Sequence, residues 1–221
     1  MRREIAVLEV IDISKTIKKS TVLSNISLNL KPGIVYGFIG RNGSGKTMLF
    51  RALSGLMKID SGEILYKNQA LHKDLPILPN VGITLENAGL YPEFTGFKNL
   101  KLLSKLNNKI NDSQINDAIK RVGLDPKDKR TFKKYSLGMK QRIVIAQAIM
   151  EKPDIIMLDE PTNSLDREGV ELIRKIILEE KKRGAMILLT SHNQEDIQLL
   201  ADQTFYMDQG KVTSERLEYA K

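Results

Sequence analysis

At 221 residues, 41% hydrophobic and 28% charged, the chain has the makeup of one globular domain, or one domain with an inserted subdomain, around a sizeable core. It contains no cysteine, which excludes disulfides and thiolate metal sites, and no apolar run reaches the ~18 residues that cross a bilayer. The net charge of +8 is concentrated, because residues 98–134 hold eleven Lys or Arg against four Asp, and Phe132 is their single aromatic, too few to stack nucleic-acid bases.

The basic start Met1-Arg2-Arg3-Glu4 leads into an apolar stretch that Glu9 and Asp12 interrupt, which argues against a secretory signal, and the lack of cysteine suits a cytoplasmic enzyme. Residues 5–13 read as a strand. From Val22 to Leu30, the residues Ile26, Leu28 and Leu30 alternate with Ser27 and Asn29, the period of a half-buried strand. Pro32-Gly33 then turns the chain into an apolar run at 34–39 that reads as a buried strand. That run ends in Gly40-Arg41-Asn42-Gly43-Ser44-Gly45-Lys46-Thr47, which matches G-x-x-x-x-G-K-[ST] without a gap. Residues 47–53 read as a helix. Strand, glycine loop and helix together turn backbone N–H groups and a helix N-terminus toward an anion. The glycines let the backbone approach phosphate with no Cβ in the way, Lys46 is expected on the β- and γ-phosphates, and the Thr47 hydroxyl on Mg²⁺. The pattern predicts a nucleoside triphosphate, and the absence of an Asn-Lys-x-Asp motif argues against guanine.

Asp60-Ser61-Gly62 is a turn, 63–66 a short strand and 81–85 another; Glu86 opens a loop containing Gly89, Pro92 and Gly96. Two helices are expected at 97–106, with Leu100, Leu103 and Leu106 on one face, and at 113–122, with Ile115, Ala118, Ile119 and Val122. This basic block interrupts the α/β pattern as an inserted helical subdomain. Its charge suits a solvated helical face, or a surface held near an anionic membrane or an acidic partner. The α/β pattern resumes at Ser136, with a helix over 139–150, a strand at 155–158, a helix over 166–183, a strand at 186–189, a short helix at 194–201 and a hairpin over 204–212. Apolar strands between long helices predict a parallel sheet covered on both faces.

Asp159 and Glu160 sit at the C-terminal end of the 155–158 strand, where open α/β sheets bind ligands. The first suits Mg²⁺, usually through water, and the second could orient and deprotonate the water that attacks the γ-phosphate. Ser136 is a good helix N-cap and Gly138 keeps the first turn free of a side chain, so this helix start offers a second phosphate-binding surface.

In their order these motifs resemble the ATP-binding cassette family over essentially the whole chain. GRNGSGKT resembles its phosphate loop, YSLGMKQR its signature motif, IIMLDE its magnesium strand, Ser164-Leu165-Asp166 its dimer-contact loop, and MILLTSH the strand that ends in its switch histidine. The resemblance implies a P-loop NTPase (RecA-like) core with an antiparallel β subdomain and an inserted α-helical subdomain. Residues 1–221 then form a single nucleotide-binding domain, with 1–86 and 136–221 as the core and 87–135 as the helical subdomain. It implies ATP and Mg²⁺, with Gly40 to Thr47 and Ile17 around the nucleotide, Thr47, Asp159 and Glu86 at the metal, and Glu160, His192 and Lys46 as catalytic residues. It implies a second cassette, in a homodimer, so that Ser136 and Gly138 serve the partner's ATP and Asp166 crosses the interface. The remaining partner is a membrane-spanning permease that holds the chain on the inner face of the cell membrane, and no nucleic acid is expected. Three positions depart from the family's usual residues: Glu86 replaces a glutamine, Ile17 an adenine-stacking aromatic, and Leu137 a glycine. Glu86 and the Ser-Leu-Gly-Met form together are similar to cassettes of bacterial peptide-antibiotic and bacteriocin exporters, of the bacitracin-resistance and lantibiotic-immunity kinds. The alternative is a cassette with no transport role, regulating a membrane-bound cell-wall enzyme or acting on DNA or the ribosome.

Overall fold

The computed structural model describes residues 8–85 and 89–214. An antiparallel sheet is built from β1 (Leu8–Ile17), β2 (Ser20–Leu30), β4 (Ser61–Tyr66) and β5 (Gln69–Ala70), in the spatial order β2-β1-β4-β5. β1 and β2 are joined through Lys18 and Lys19, both with positive φ (46° and 68°), the handedness a two-residue hairpin turn needs. The alternation seen in the sequence holds, with Ile26, Leu28 and Leu30 buried. A register shift between Val10 and Ile13 bulges β1, with Asp12 at φ 48°. Gly62 passes against that bulge so closely that a Cβ there would lie 2.4 Å from the Asp12 carbonyl oxygen.

The second sheet has the order β10-β9-β3-β8-β7-β6, from β3 (Val35–Ile39), β6 (Val81–Thr84), β7 (Ile155–Asp159), β8 (Met186–Thr190), β9 (Gln203–Asp208) and β10 (Lys211–Ser214). All its pairs are parallel except the β9–β10 hairpin on the edge. The central strands are apolar on both faces, and their period of two sorts them between two cores. Tyr36, Phe38, Met157 and Leu188 face the antiparallel sheet together with Leu49 and Phe50 of α1 (Lys46–Leu53). Ile156, Leu158, Ile187 and Leu189 face the other way, onto α4 (Leu137–Ile149), α5 (Arg167–Lys182) and α6 (Gln194–Leu200).

Between the β6 and β7 strands lie α2 (Gly96–Asn107) and α3 (Asp112–Arg121). Thr95 caps α2, and Asn111 with Gln114 forms a capping box on α3. α3 packs on α4 through Ile115, Ala118 and Ile119, and Arg121 is tied to Glu179 and Glu180 of α5.

Three expectations need correction. β5 and a 3₁₀ turn at Phe132–Lys134 add to the expected elements and are too short to carry a periodic signal. β1 runs to Ile17, beyond the expected limit at residue 13, because its outer half is an exposed hairpin arm rather than a buried strand. Leu106 does not continue the buried face of Leu100: in the last turn of α2 it is 78% exposed.

Candidate active site

β3 delivers the chain into the glycine loop, and α1 begins at Lys46, with Gly45 in front of it at φ 108°. A Cβ on Gly40 would come within 2.4 Å of the Met207 carbonyl oxygen, and one on Gly45 within 2.7 Å of that of Val22, so close backbone approach fixes both residue types. The Lys46 side chain is buried and folds back over the loop, donating to the carbonyl oxygens of Gly40 at 2.7 Å and Arg41 at 3.3 Å. Ser44 Oγ is buried with no hydrogen-bond partner, a donor left waiting inside the loop.

β7 carries Asp159 to the same end of the sheet. Its Oδ2 accepts from Thr47 Oγ1 at 2.8 Å, its Oδ1 from Thr190 Oγ1 at 2.7 Å, and its own N–H donates to Thr84 Oγ1 at 3.0 Å. Thr84 ends β6 and Thr190 ends β8, so the flanking strands clamp Asp159 from both sides. Glu160 follows with φ 50°, left-handed and strained for a side-chain-bearing residue. Its N–H donates to Thr190 Oγ1 at 2.9 Å, and its carbonyl oxygen accepts from Gln141 Nε2 of α4 at 3.1 Å. The His192 N–H donates to Glu160 Oε2 at 3.1 Å. The imidazole Nε2 lies 3.1 Å from Oε1, without hydrogen-bond geometry. Burial pushes the Glu160 carboxyl above the ordinary glutamate range, against the pull of the His192 N–H and the Lys46 charge.

Lys46, Thr47, Asp159, Glu160, Ser164 and His192 all line one open cleft of about 910 Å³. Thr47 and Asp159 present an oxygen-only pair, and no three His, Cys, Asp or Glu side chains are placed to hold a metal ion together among the described residues. That set fits Mg²⁺, which takes one or two protein oxygens and completes its shell with phosphates and water.

The other sequence-predicted residues fall as follows. Ser136 caps α4, its Oγ accepting from the Met139 N–H at 3.2 Å, and is exposed. A Cβ on Gly138 would lie 2.9 Å from the Ser164 carbonyl oxygen, so the start of α4 rests on the Ser164 loop. Asp166 caps α5, accepting from the Gly169 N–H and Arg142 Nη2, both at 2.9 Å. Ile17 is 37% exposed at the hairpin tip and does not line the cleft, whose wall on that side is Val22. Glu86 lies outside the described residues. Thr84, Thr190 and Gln141 were missed as site residues, since a threonine ending a strand or a glutamine on a helix carries no motif of its own.

A model described as ABC transporter matches residues 23–163. An ABC transporter ATP-binding protein of Bacillus subtilis named YybJ, itself uncharacterized, is 51% identical over 215 residues, covering 97% of this chain and 99% of that protein. The lantibiotic transport ATP-binding protein SrtF of Streptococcus pyogenes is 34% identical, over 95% of this chain and 90% of its own length. The bacitracin transport ATP-binding protein BcrA of Bacillus licheniformis is also 34% identical, over 95% of this chain and 69% of its own. Among solved structures, a dimeric bacterial ABC transporter cassette superposes with a TM-score of 0.84 over 95% of this chain at 21% identity.

Proposed function

This chain belongs to the ABC transporter family as an ATP-binding subunit, and on that premise we propose that it hydrolyses ATP to drive export of peptides, antibiotics or related compounds through a separate membrane-spanning subunit. The observation that carries the hydrolytic part is the convergence of Lys46, Thr47, Asp159, Glu160 and His192 on one cleft. Likeness to SrtF and BcrA, whose names specify lantibiotic and bacitracin transport, supports the exporter reading.

Each residue has work that follows from its surroundings. Lys46 and the loop N–H groups take the β- and γ-phosphates, and Ser44 Oγ supplies one more donor. Thr47 and Asp159 hold Mg²⁺, which when bound offsets the charge that builds on the phosphate oxygens. Glu160 orients a water for in-line attack on the γ-phosphorus and accepts its proton, and burial raises its basicity toward that task. His192 steadies Glu160 through its backbone N–H, while its imidazole faces the cleft where the γ-phosphate lies. Ser136 is exposed at the start of α4, and Gly138 lets that start lie close on the Ser164 loop, so a second copy of the chain can present its own nucleotide there. No helix among the described residues is long and apolar enough to span a membrane. The assignment of the channel to a separate membrane-spanning subunit, with this chain at the inner membrane face, is supported by the likeness to SrtF and BcrA, whose names give them as transport ATP-binding proteins.

The test is Glu160→Gln, which keeps the shape and removes the base. ATP turnover is expected to vanish while ATP still binds and holds two copies together on gel filtration. Turnover near the wild-type rate overturns the assignment.

A further inference from the structure

Behind Glu160 and His192 lies a cluster that the chemistry above does not use. Asp196 on α6 is 1% exposed, and both its carboxylate oxygens are engaged. Oδ1 accepts from Arg174 Nε at 2.8 Å and lies 2.6 Å from Arg174 Nη2. Oδ2 accepts from Thr162 Oγ1 at 2.5 Å and from Ser191 Oγ at 3.2 Å. Ser191 Oγ accepts in turn from the Asn193 N–H at 3.0 Å. Thr162 stands two residues after Glu160, and Ser191 immediately precedes His192. One buried carboxylate, anchored by Arg174 of α5, thus grips the loop after β7 and the loop after β8.

We propose that Asp196 is a positioning residue for ATP hydrolysis: through Thr162 and Ser191 it sets the loop carrying Glu160 against the loop carrying His192. The inference rests on the assignment of Glu160 as the base and deepens it. A buried ion pair is a weak device for stability, because desolvation of both charges consumes most of the attraction, and apolar residues of the same volume do as well. Apolar residues cannot accept hydrogen bonds from hydroxyls on two separate loops, and Asp196 does. The outer partners of Arg174 are different. Glu171 and Glu195 each lie 3.0 Å from it, but both are 64% exposed and screened by water. Glu160 has the sort of strained backbone that persists only where its surroundings over-determine it. Because the His192 N–H bonds to Glu160 Oε2, a slip of one loop past the other moves the base directly.

The experiment compares three side chains at position 162, with ATP and Mg²⁺ and the full chain. Thr162→Val keeps the volume and deletes the hydroxyl; Thr162→Ser keeps the hydroxyl and deletes a methyl. Loss of positioning is expected to lower kcat about 10- to 100-fold in Thr162→Val, with KM for ATP close to wild type and the thermal midpoint little changed. Thr162→Ser should retain kcat. Asp196→Asn should fall with Thr162→Val, while Glu171→Gln, which touches only the exposed side of Arg174, should leave kcat intact. The opposite ranking, with valine active and serine impaired, would mean that Thr162 merely fills space. That result overturns the proposal, as do wild-type rates in both variants or a fall of kcat matched by a collapse of the thermal midpoint. Glu160→Gln run alongside separates the two readings. If it turns over ATP, the base assignment fails; if it is inactive while Thr162→Val is fully active, the positioning role alone fails.

Discussion

The residue with the most at stake is Glu160. Its carboxyl is raised above the ordinary glutamate value by burial, so the folded chain binds its proton more tightly than the unfolded chain does. Two consequences of opposite kind follow. For activity, if Glu160 is the base as proposed, it is lost to protonation at a higher pH than an ordinary glutamate would be, so the acid limb of kcat should sit above the usual carboxylate range. For stability, the sign is set by where the extra proton resides. Below the unfolded pKa both states are protonated and Glu160 costs nothing extra. As pH rises through the window between the unfolded and folded pKa values, the native state is progressively penalised, and above the folded pKa the penalty is constant. Gln does not titrate. The thermal midpoint of Glu160→Gln minus that of wild type should therefore grow as pH rises through the window and then level off. A difference that shrinks with rising pH would contradict the burial argument. The same variant would be dead in turnover, which is the usual conflict between a strained catalytic group and stability.

At the level of elements, the loop before α2 is closed by one buried amide. Asn99 on α2 accepts from the Tyr91 N–H at 2.7 Å, and its Nδ2 donates to the carbonyl oxygens of Tyr91 at 3.0 Å and Thr95 at 3.1 Å. It closes the loop before α2 onto the helix itself, and the Phe94 carbonyl oxygen in turn accepts from the Phe132 N–H at 2.7 Å. Asn99→Ala would leave the Tyr91 N–H without its acceptor and take a second donor from the Tyr91 and Thr95 carbonyl oxygens, which keep their bonds from the Phe94 and Asn99 N–H groups, at a cost of about 1–3 kcal/mol. Urea denaturation should show the loss as a lower midpoint, and an unchanged midpoint would mean that the loop holds without the amide. Nothing in the sequence singled out Asn99, since a polar residue in a helix reads as solvated until its partners are known. The contrast with the sheets is instructive. Ile26, Leu28 and Leu30 announce their strand because alternation is a local property, and the glycine loop announces itself because only glycine fits where Met207 and Val22 carbonyls pass. Thr84, Thr190 and Asp196 act through partners up to 75 residues away, as in the Asp159–Thr84 bond, and such pairings leave no local pattern. The α2 stripe failed at Leu106 for the same reason: periodicity gives a face, but the neighbouring helices decide how much of it is covered.

On the scale of the whole molecule, the concentration of charge in residues 98–134 looks different once partners are visible. Lys101 pairs with Asp112, Lys133 with Glu93, Arg130 with Asp128, and Arg121 with the two acids of α5. Asp112 and Asp128 already belong to the stretch's own balance, so the excess itself is drawn down only by Glu93, Glu179 and Glu180 from outside it. Lys105, Lys127, Lys129 and Lys134 have no carboxylate within ion-pair distance among the described residues, and their charge remains to be met from outside. An unpaired lysine near an anionic leaflet contributes about 1 kcal/mol, whereas one already neutralised by a neighbouring acid brings little net charge. If the insertion works beneath an anionic membrane, the two sets must behave differently. Replacing Lys105, Lys127, Lys129 and Lys134 by Gln should sharply reduce co-sedimentation with phosphatidylglycerol vesicles at physiological salt. Replacing Lys101 and Lys133 by Gln should reduce it less: each substitution also lowers the net charge by one, but there are two rather than four, and these ammonium groups are held by Asp112 and Glu93 instead of being free to meet lipid headgroups. Binding that is equal on neutral phosphatidylcholine vesicles, or lost equally in both sets, would return this charge to the role of a plain solvated surface.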